Sequence, residues 1–131
     1  MLGRALQFGD SMLPIGSFAC SGGLESAIQK GVVRDVDTLQ AFARTAVEQA
    51  ALGDGIALIW AHRAAAAGDL EELERIDQRV YGRKLSAETR AMTVRVGKKF
   101  AEMGAGITAA PLLHTWLERV QQGATPGCYP V

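Results

Sequence analysis

Apolar positions recur along this chain with a helical period almost from end to end. Leu39, Phe42, Ala43, Ala46, Val47 and Ala50 form one such stripe, behind Asp37-Thr38-Leu39-Gln40, which has the pattern of a capping box. That helix is expected to end near Gly53. A second begins at Asp54, carries Ile56, Ile59, Trp60 and Ala64, and stops at Gly68, a residue suited to a left-handed C-terminal position. Asp69-Leu70-Glu71-Glu72 caps the next, whose stripe is Leu70, Leu73, Ile76 and Val80. A longer helix is expected from near Arg83 to Met103, with Leu85, Met92, Val96, Phe100 and Met103 inward and Gly104 and Gly106 ending it. Pro111 suits the first turn of a last helix, in which Leu112, Leu113, Trp116, Leu117 and Val120 face inward and which Gly123 closes. The tail from Ala124 to Val131 reads as a turn-rich connector. No segment alternates as a strand would. The fold class is therefore all-α, a bundle-like packing of short helices in a single domain over residues 1–131.

Size and composition are consistent with that. At 131 residues one domain with its own core is the default, and 48% hydrophobic against 21% charged residues excludes a disordered chain. Zero formal net charge argues against a nucleic-acid binder, whose phosphate contacts require a basic surplus. The longest apolar run, Ile56 to Ala61, falls far short of the ~20 residues that cross a bilayer. The first residues lack the apolar core of a signal peptide, because Gln7 and Asp10 interrupt it. Two cysteines, Cys20 and Cys128, do not make a disulfide scaffold, and the expectation is reduced thiols in a cytoplasmic protein.

One segment breaks the helical regularity. From Asp10 to Gly23 the chain mixes Pro14, three glycines and apolar residues, and is too apolar for a solvated loop. It leads into a short helix, Leu24 to Lys30, closed by Gly31. With Gly22 as N-cap, Glu25 falls at the third helical position and favours the helix start. Two readings stand side by side: a buried linker wedging Leu13, Ile15 and Phe18 into the core, or a shaped surface for a partner.

Candidate chemistry is sparse. The soft metal ligands are His62, His114, Cys20 and Cys128, and no two have the i, i+3 or i, i+4 spacing that places two ligands on one helix face. Cys20 or Ser21 before Gly22-Gly23 at a helix start has the setting of an activated nucleophile, but no histidine is near in sequence. Ser21-Gly22-Gly23 lacks the lysine ending of a phosphate-binding loop. Charge is uneven: Asp69, Glu71, Glu72, Glu74 and Asp77 are followed by Arg83, Lys84, Arg90, Arg95, Lys98 and Lys99. These read as two solvated faces, paired with each other, or as a surface that steers a charged partner. Met12, Met92 and Met103 read as core filling. No catalytic site, cofactor or metal site is assigned, which favours an interaction protein over an enzyme.

Leu13-Pro14-Ile15-Gly16-Ser17-Phe18 followed by Ser21-Gly22-Gly23-Leu24-Glu25 resembles the opening signature of the UreF family of urease accessory proteins. Gly31-Val32-Val33-Arg34-Asp35, Ser86-Ala87-Glu88-Thr89-Arg90 with Gly97-Lys98-Lys99-Phe100, and Tyr129-Pro130-Val131 resemble later stretches of the same family, in the same order. Cys20 stands where the family has an aromatic residue. Family members continue past the tyrosine-proline-valine, so the resemblance implies an N-terminal portion. It also implies a non-catalytic, all-α, dimeric scaffold that binds a UreD/UreH-type accessory protein and recruits the GTPase UreG. The complex then delivers nickel to the urease apoprotein. On this resemblance the partner-facing residues are Pro14, Gly16, Phe18, Ser21, Gly22, Leu24 and Glu25. The alternative is an all-α interaction module or regulator unrelated to urease.

Overall fold

The structure is a computed structural model and describes residues 2–10, 12–17 and 21–131. The described residues form seven α-helices and one π-helical turn, with no strand among them. They divide into two compact units, Met1–Gln49 and Ala50–Val131.

The first unit holds α1 (Leu2–Phe8), α2 (Leu24–Gln29) and most of α3 (Val36–Ala50). The sequence pattern had not marked α1 as a helix. Helix α2 ends in a Schellman motif: Val32 N–H donates to the Ala27 carbonyl at 2.9 Å and Gly31 N–H to that of Ile28 at 3.0 Å. Gly31 takes the left-handed φ of 68° that the motif requires. The cap of α3 lies two residues before the expected one. Thr38 N–H donates to Asp35 Oδ1 at 2.8 Å, and the Thr38 hydroxyl oxygen accepts from Asp35 N–H at 3.1 Å. The pair is reciprocal, so Asp35 and Thr38 start the helix rather than Asp37 and Gln40. The Thr38 hydroxyl, donating to Asp35 Oδ1 at 2.7 Å, and the Thr38 N–H together hold the Asp35 carboxyl below its ordinary value. Helix α3 has no buried residue, and Leu39 and Val47 are exposed. Its apolar stripe is thus not a core stripe, because no described residue of the unit packs over it closely enough to bury it.

The second unit opens with the π turn Ala51–Gly55, where the sequence pattern placed a break at Gly53 and a new start at Asp54. Then come α4 (Ile56–Ala67), α5 (Leu70–Arg83), α6 (Ala87–Ile107) and α7 (Pro111–Gln121). Helix α4 packs on α5, and α6 on α7. The α4 and α7 helices end as α2 does, at left-handed Gly68 and Gly123. Asp69 caps α5 by accepting from Glu72 N–H at 2.9 Å. Ser86 caps α6 by accepting from Thr89 N–H at 3.0 Å. That cap displaces the expected start at Arg83 and leaves Leu85 outside the helix, 96% exposed. The helix also continues through Gly104 and Gly106. A Cβ at position 104 would press on the Leu113 side chain of α7, so this glycine permits close packing rather than ending the helix.

The core of this unit joins Ala61 and Ala64 of α4, Leu73, Ile76 and Val80 of α5, Ala101 of α6, Trp116 and Val120 of α7, and Cys128. Apolar periodicity had marked most of these positions. Of the three methionines assigned to the core, Met92 and Met103 are half-buried, whereas Met12 is 79% exposed.

Candidate functional site

The segment singled out by the sequence lies in the first unit, and the structure shows why it needs its glycines. Ser21 accepts from Leu24 N–H at 3.1 Å across a tight turn whose central residues, Gly22 and Gly23, have φ of 61° and 91°. Two consecutive positive φ values are those of a type I′ turn, which residues with a Cβ rarely adopt. Gly23 is therefore the N-cap of α2, one residue later than expected, and Glu25 occupies the second helical position instead of the third. Upstream, Asp10 Oδ1 accepts from Met12 N–H at 2.8 Å and the Asp10 carbonyl from Leu13 N–H at 3.0 Å. These bonds lead the chain to Ile15, which is buried, and to Gly16 at φ 77°.

Pro14, Gly16, Ser21, Gly22 and Glu25 are exposed, while Leu13 and Leu24 are half-buried. Phe18 and Cys20 lie outside the described residues. The turn brings Ser21, Gly22, Leu24 and Glu25 together. No hydrogen bond or ion pair ties Pro14 or Gly16 to that group among the described residues. Glu25 makes no ion pair among them either, so its carboxylate is available at the surface beside a helix start.

The other candidates are dispersed. His62 on α4 and His114 on α7 are exposed, whereas Cys128 is buried. No three metal-binding side chains gather among the described residues. The acidic and basic runs pair differently from the expectation. Arg119 of α7 reaches Glu74 of α5 at 2.9 Å, and Lys84 reaches both oxygens of Asp54 in the π turn at 2.6 and 2.7 Å. Arg75–Glu72 and Lys99–Glu102 pair within their own helices.

Asp77 is the largest departure. It was counted on a solvated acidic face, yet its exposure is 0%. Its carboxylate grips the C-terminal segment. Oδ2 accepts from the Thr125 hydroxyl at 2.5 Å and from Gly127 N–H at 2.6 Å, and Oδ1 accepts from Cys128 N–H at 2.7 Å. All three partners donate, which suits an ionised carboxylate, an acceptor through both oxygens. Tyr129 N–H then donates to the Thr93 carbonyl of α6 at 3.0 Å, and its ring meets Phe100 edge-on with centroids 5.5 Å apart. Gly97 lets this happen: a Cβ there would overlap the backbone of Gly127, Cys128 and Tyr129. Residues 124–131 are therefore a strap fastened to α5 and α6, not a connector.

The strap carries the described free thiol, but not in a reactive state. Burial pushes the Cys128 thiol well above its ordinary value, and the adjacent Asp77 charge adds to the shift. A thiol held protonated is a poor nucleophile and a poor metal ligand. The constellation of Asp77, Thr125 and Cys128 is thus a mechanical clamp. A signal for it was present in the sequence: Asp77 falls four residues after Leu73 and three before Val80, on the apolar face of α5.

Comparison with known proteins adds the family. The sequence profile of the UreF family matches residues 33–131. Urease accessory protein UreF of Yersinia enterocolitica (serotype O:8 / biotype 1B) is 52% identical over 128 residues, covering 98% of this chain and 56% of that protein. Urease accessory protein UreF 2 of Brucella canis is 55% identical over 126 residues, covering 96% and 52%. UreF of Yersinia pestis (strain Pestoides F) is 50% identical over 128 residues, covering 98% and 56%. The chain spans about half the length of these curated relatives. No solved structure matches it.

Proposed function

Because the chain belongs to the UreF family, we propose that it serves urease maturation as a non-catalytic accessory scaffold. In this reading it binds a UreD/UreH-type accessory protein and recruits a UreG-type GTPase. Nickel then reaches the urease apoprotein through the assembled complex, in the cytoplasm, with the scaffold present as a homodimer. The observation that carries the reading is the family match over residues 33–131 together with relatives named as urease accessory proteins at 50–55% identity.

The partner-facing residues are Pro14, Gly16, Phe18, Ser21, Gly22, Leu24 and Glu25, and the geometry of the opening motif supports that role for those among the described residues, which leave out Phe18. Five of them are exposed, and the type I′ turn presents Ser21 and Glu25 at the start of a short helix. The glycine turn, closed by the Leu24 N–H bond to Ser21, sets polar groups side by side at the surface, where a partner can reach them. The test is a pull-down with purified UreD/UreH-type and UreG-type proteins. This chain is compared with the same chain joined to the portion of the Yersinia enterocolitica relative that it does not match. Capture of both partners by the joined protein is expected. Capture of neither, by a folded joined protein, overturns the reading.

A further inference from the structure

Helix α4 is apolar on nearly every side, and only part of it is covered. Ala61 and Ala64 are buried against the core of the second unit, with Ala57 and Ala65 half-buried beside them. On the other face Ile56, Ile59 and Trp60 are 42%, 52% and 53% exposed, and Leu52 in the preceding π turn is 69% exposed. Positions 56, 59, 60 and 63 share one helical face, and the Arg63 guanidinium lies 5.5 Å from the Trp60 ring centroid. A helix apolar all round belongs to an interior, and a contiguous exposed apolar patch marks a contact surface.

The lengths of the relatives indicate what covers it. The 128 matched residues make up 56% of the Yersinia enterocolitica protein, which leaves 44% of its length without a counterpart here. That protein is 52% identical over the match and has additional chain with which to cover a helix face left open in the matched part. We propose that the outer face of α4 (Leu52, Ile56, Ile59 and Trp60) is the seat of an apolar helical face from the portion of the relatives that this chain does not match. The inference stands apart from the urease reading, since it concerns how the family's longer chains complete their core.

Trp60 is the reporter, because the other tryptophan, Trp116, is already buried at 6% exposure. Acrylamide quenching is measured on this chain and on the chain joined to the unmatched portion of the Yersinia enterocolitica relative, with Trp60→Phe isolating the Trp60 signal. Joining is expected to lower the Trp60 quenching constant several-fold and shift its emission to the blue. Equal quenching in the two proteins overturns the proposal. So does shielding that grows with the concentration of the chain alone, which would make a second copy the occupant. Ile56→Asn should lower the melting temperature of the joined protein and leave that of the chain alone in place, while Leu85→Asn moves neither. An equal fall in both overturns the proposal. A third measurement needs no joined protein: hydrogen exchange over the segment of the intact Yersinia enterocolitica protein aligned with Ile56–Ala67. Exchange slower there than in this chain is expected, and equal rates overturn the inference.

Discussion

Replacing Asp77 with alanine removes the acceptor for three donors at once. The Thr125 hydroxyl, Gly127 N–H and Cys128 N–H all lie in buried residues. A buried donor left without a partner costs about 1–3 kcal/mol, and three on one segment share part of that cost by moving together, so the loss is set at about 3–5 kcal/mol. Asparagine gives an internal control. Its carbonyl oxygen can still accept from Thr125 and Gly127, but its amide then faces Cys128 N–H, leaving one clash of donors. The expected cost of Asp77→Asn is therefore about 1–3 kcal/mol. Urea unfolding followed by circular dichroism measures both. Alanine should shift the midpoint more than asparagine, and a loss of 3 kcal/mol should lower the melting temperature by at least about 6 °C. Hydrogen exchange at Gly127 and Cys128 should accelerate in both variants. Asp77→Ala melting within about 1 kcal/mol of the parent, with those two amides still protected, would refute the clamp.

Further expectations concern single sites. Gly97→Ala drives a Cβ into the strap backbone, so its urea midpoint should fall by the ~1–3 kcal/mol typical of overpacking, with Tyr129 displaced from Phe100 in near-ultraviolet circular dichroism. In a Cys20→Ser background, Cys128 should resist thiol reagents at mildly alkaline pH until denaturant is added; rapid native-state labelling would contradict a thiol that burial holds protonated. The Asp35 carboxyl is depressed by Thr38, so its contribution to the start of α3 is present above the unfolded-state value and is lost as pH falls through the folded one. Nuclear magnetic resonance titration should show Thr38→Val raising the Asp35 value toward that of an ordinary aspartate.

Much of the second unit was legible because α5 and α7 bury one face and polar residues fill the other. Leu73, Ile76, Val80, Trp116 and Val120 were placed inward on period alone, and each is buried. Period does not reveal what lies far along the chain. Asp77 looked like one more acid in an acidic run, because its partners come 48 to 51 residues later. The tail looked like a connector for the same reason. Gly97 carried no visible role and Gly104 was read as a helix end, since a missing Cβ has meaning only once a neighbour approaches. Ser86 was overlooked as a cap because Leu85 before it extended the apolar pattern by one position. In the first unit, α3 has a sound apolar stripe that the structure leaves without burial. The opening motif was recognisable as a pattern, but the type I′ turn and the shift of the cap to Gly23 required backbone angles.

In the proposed function the chain scaffolds urease maturation through its opening motif. That role is tested most directly in cells that carry urease genes but lack their UreF-type gene. The chain joined to the relative's unmatched portion is supplied as wild type or as Glu25→Ala, and nickel per urease is measured with urease activity, alongside the melting temperature of each purified protein. Glu25 is exposed in the first turn of a six-residue helix, so its removal should leave melting within a few degrees. The wild type is expected to restore nickel loading, and Glu25→Ala, equally folded, to restore much less. Full nickel loading by Glu25→Ala, or none by a folded wild type, would contradict that role.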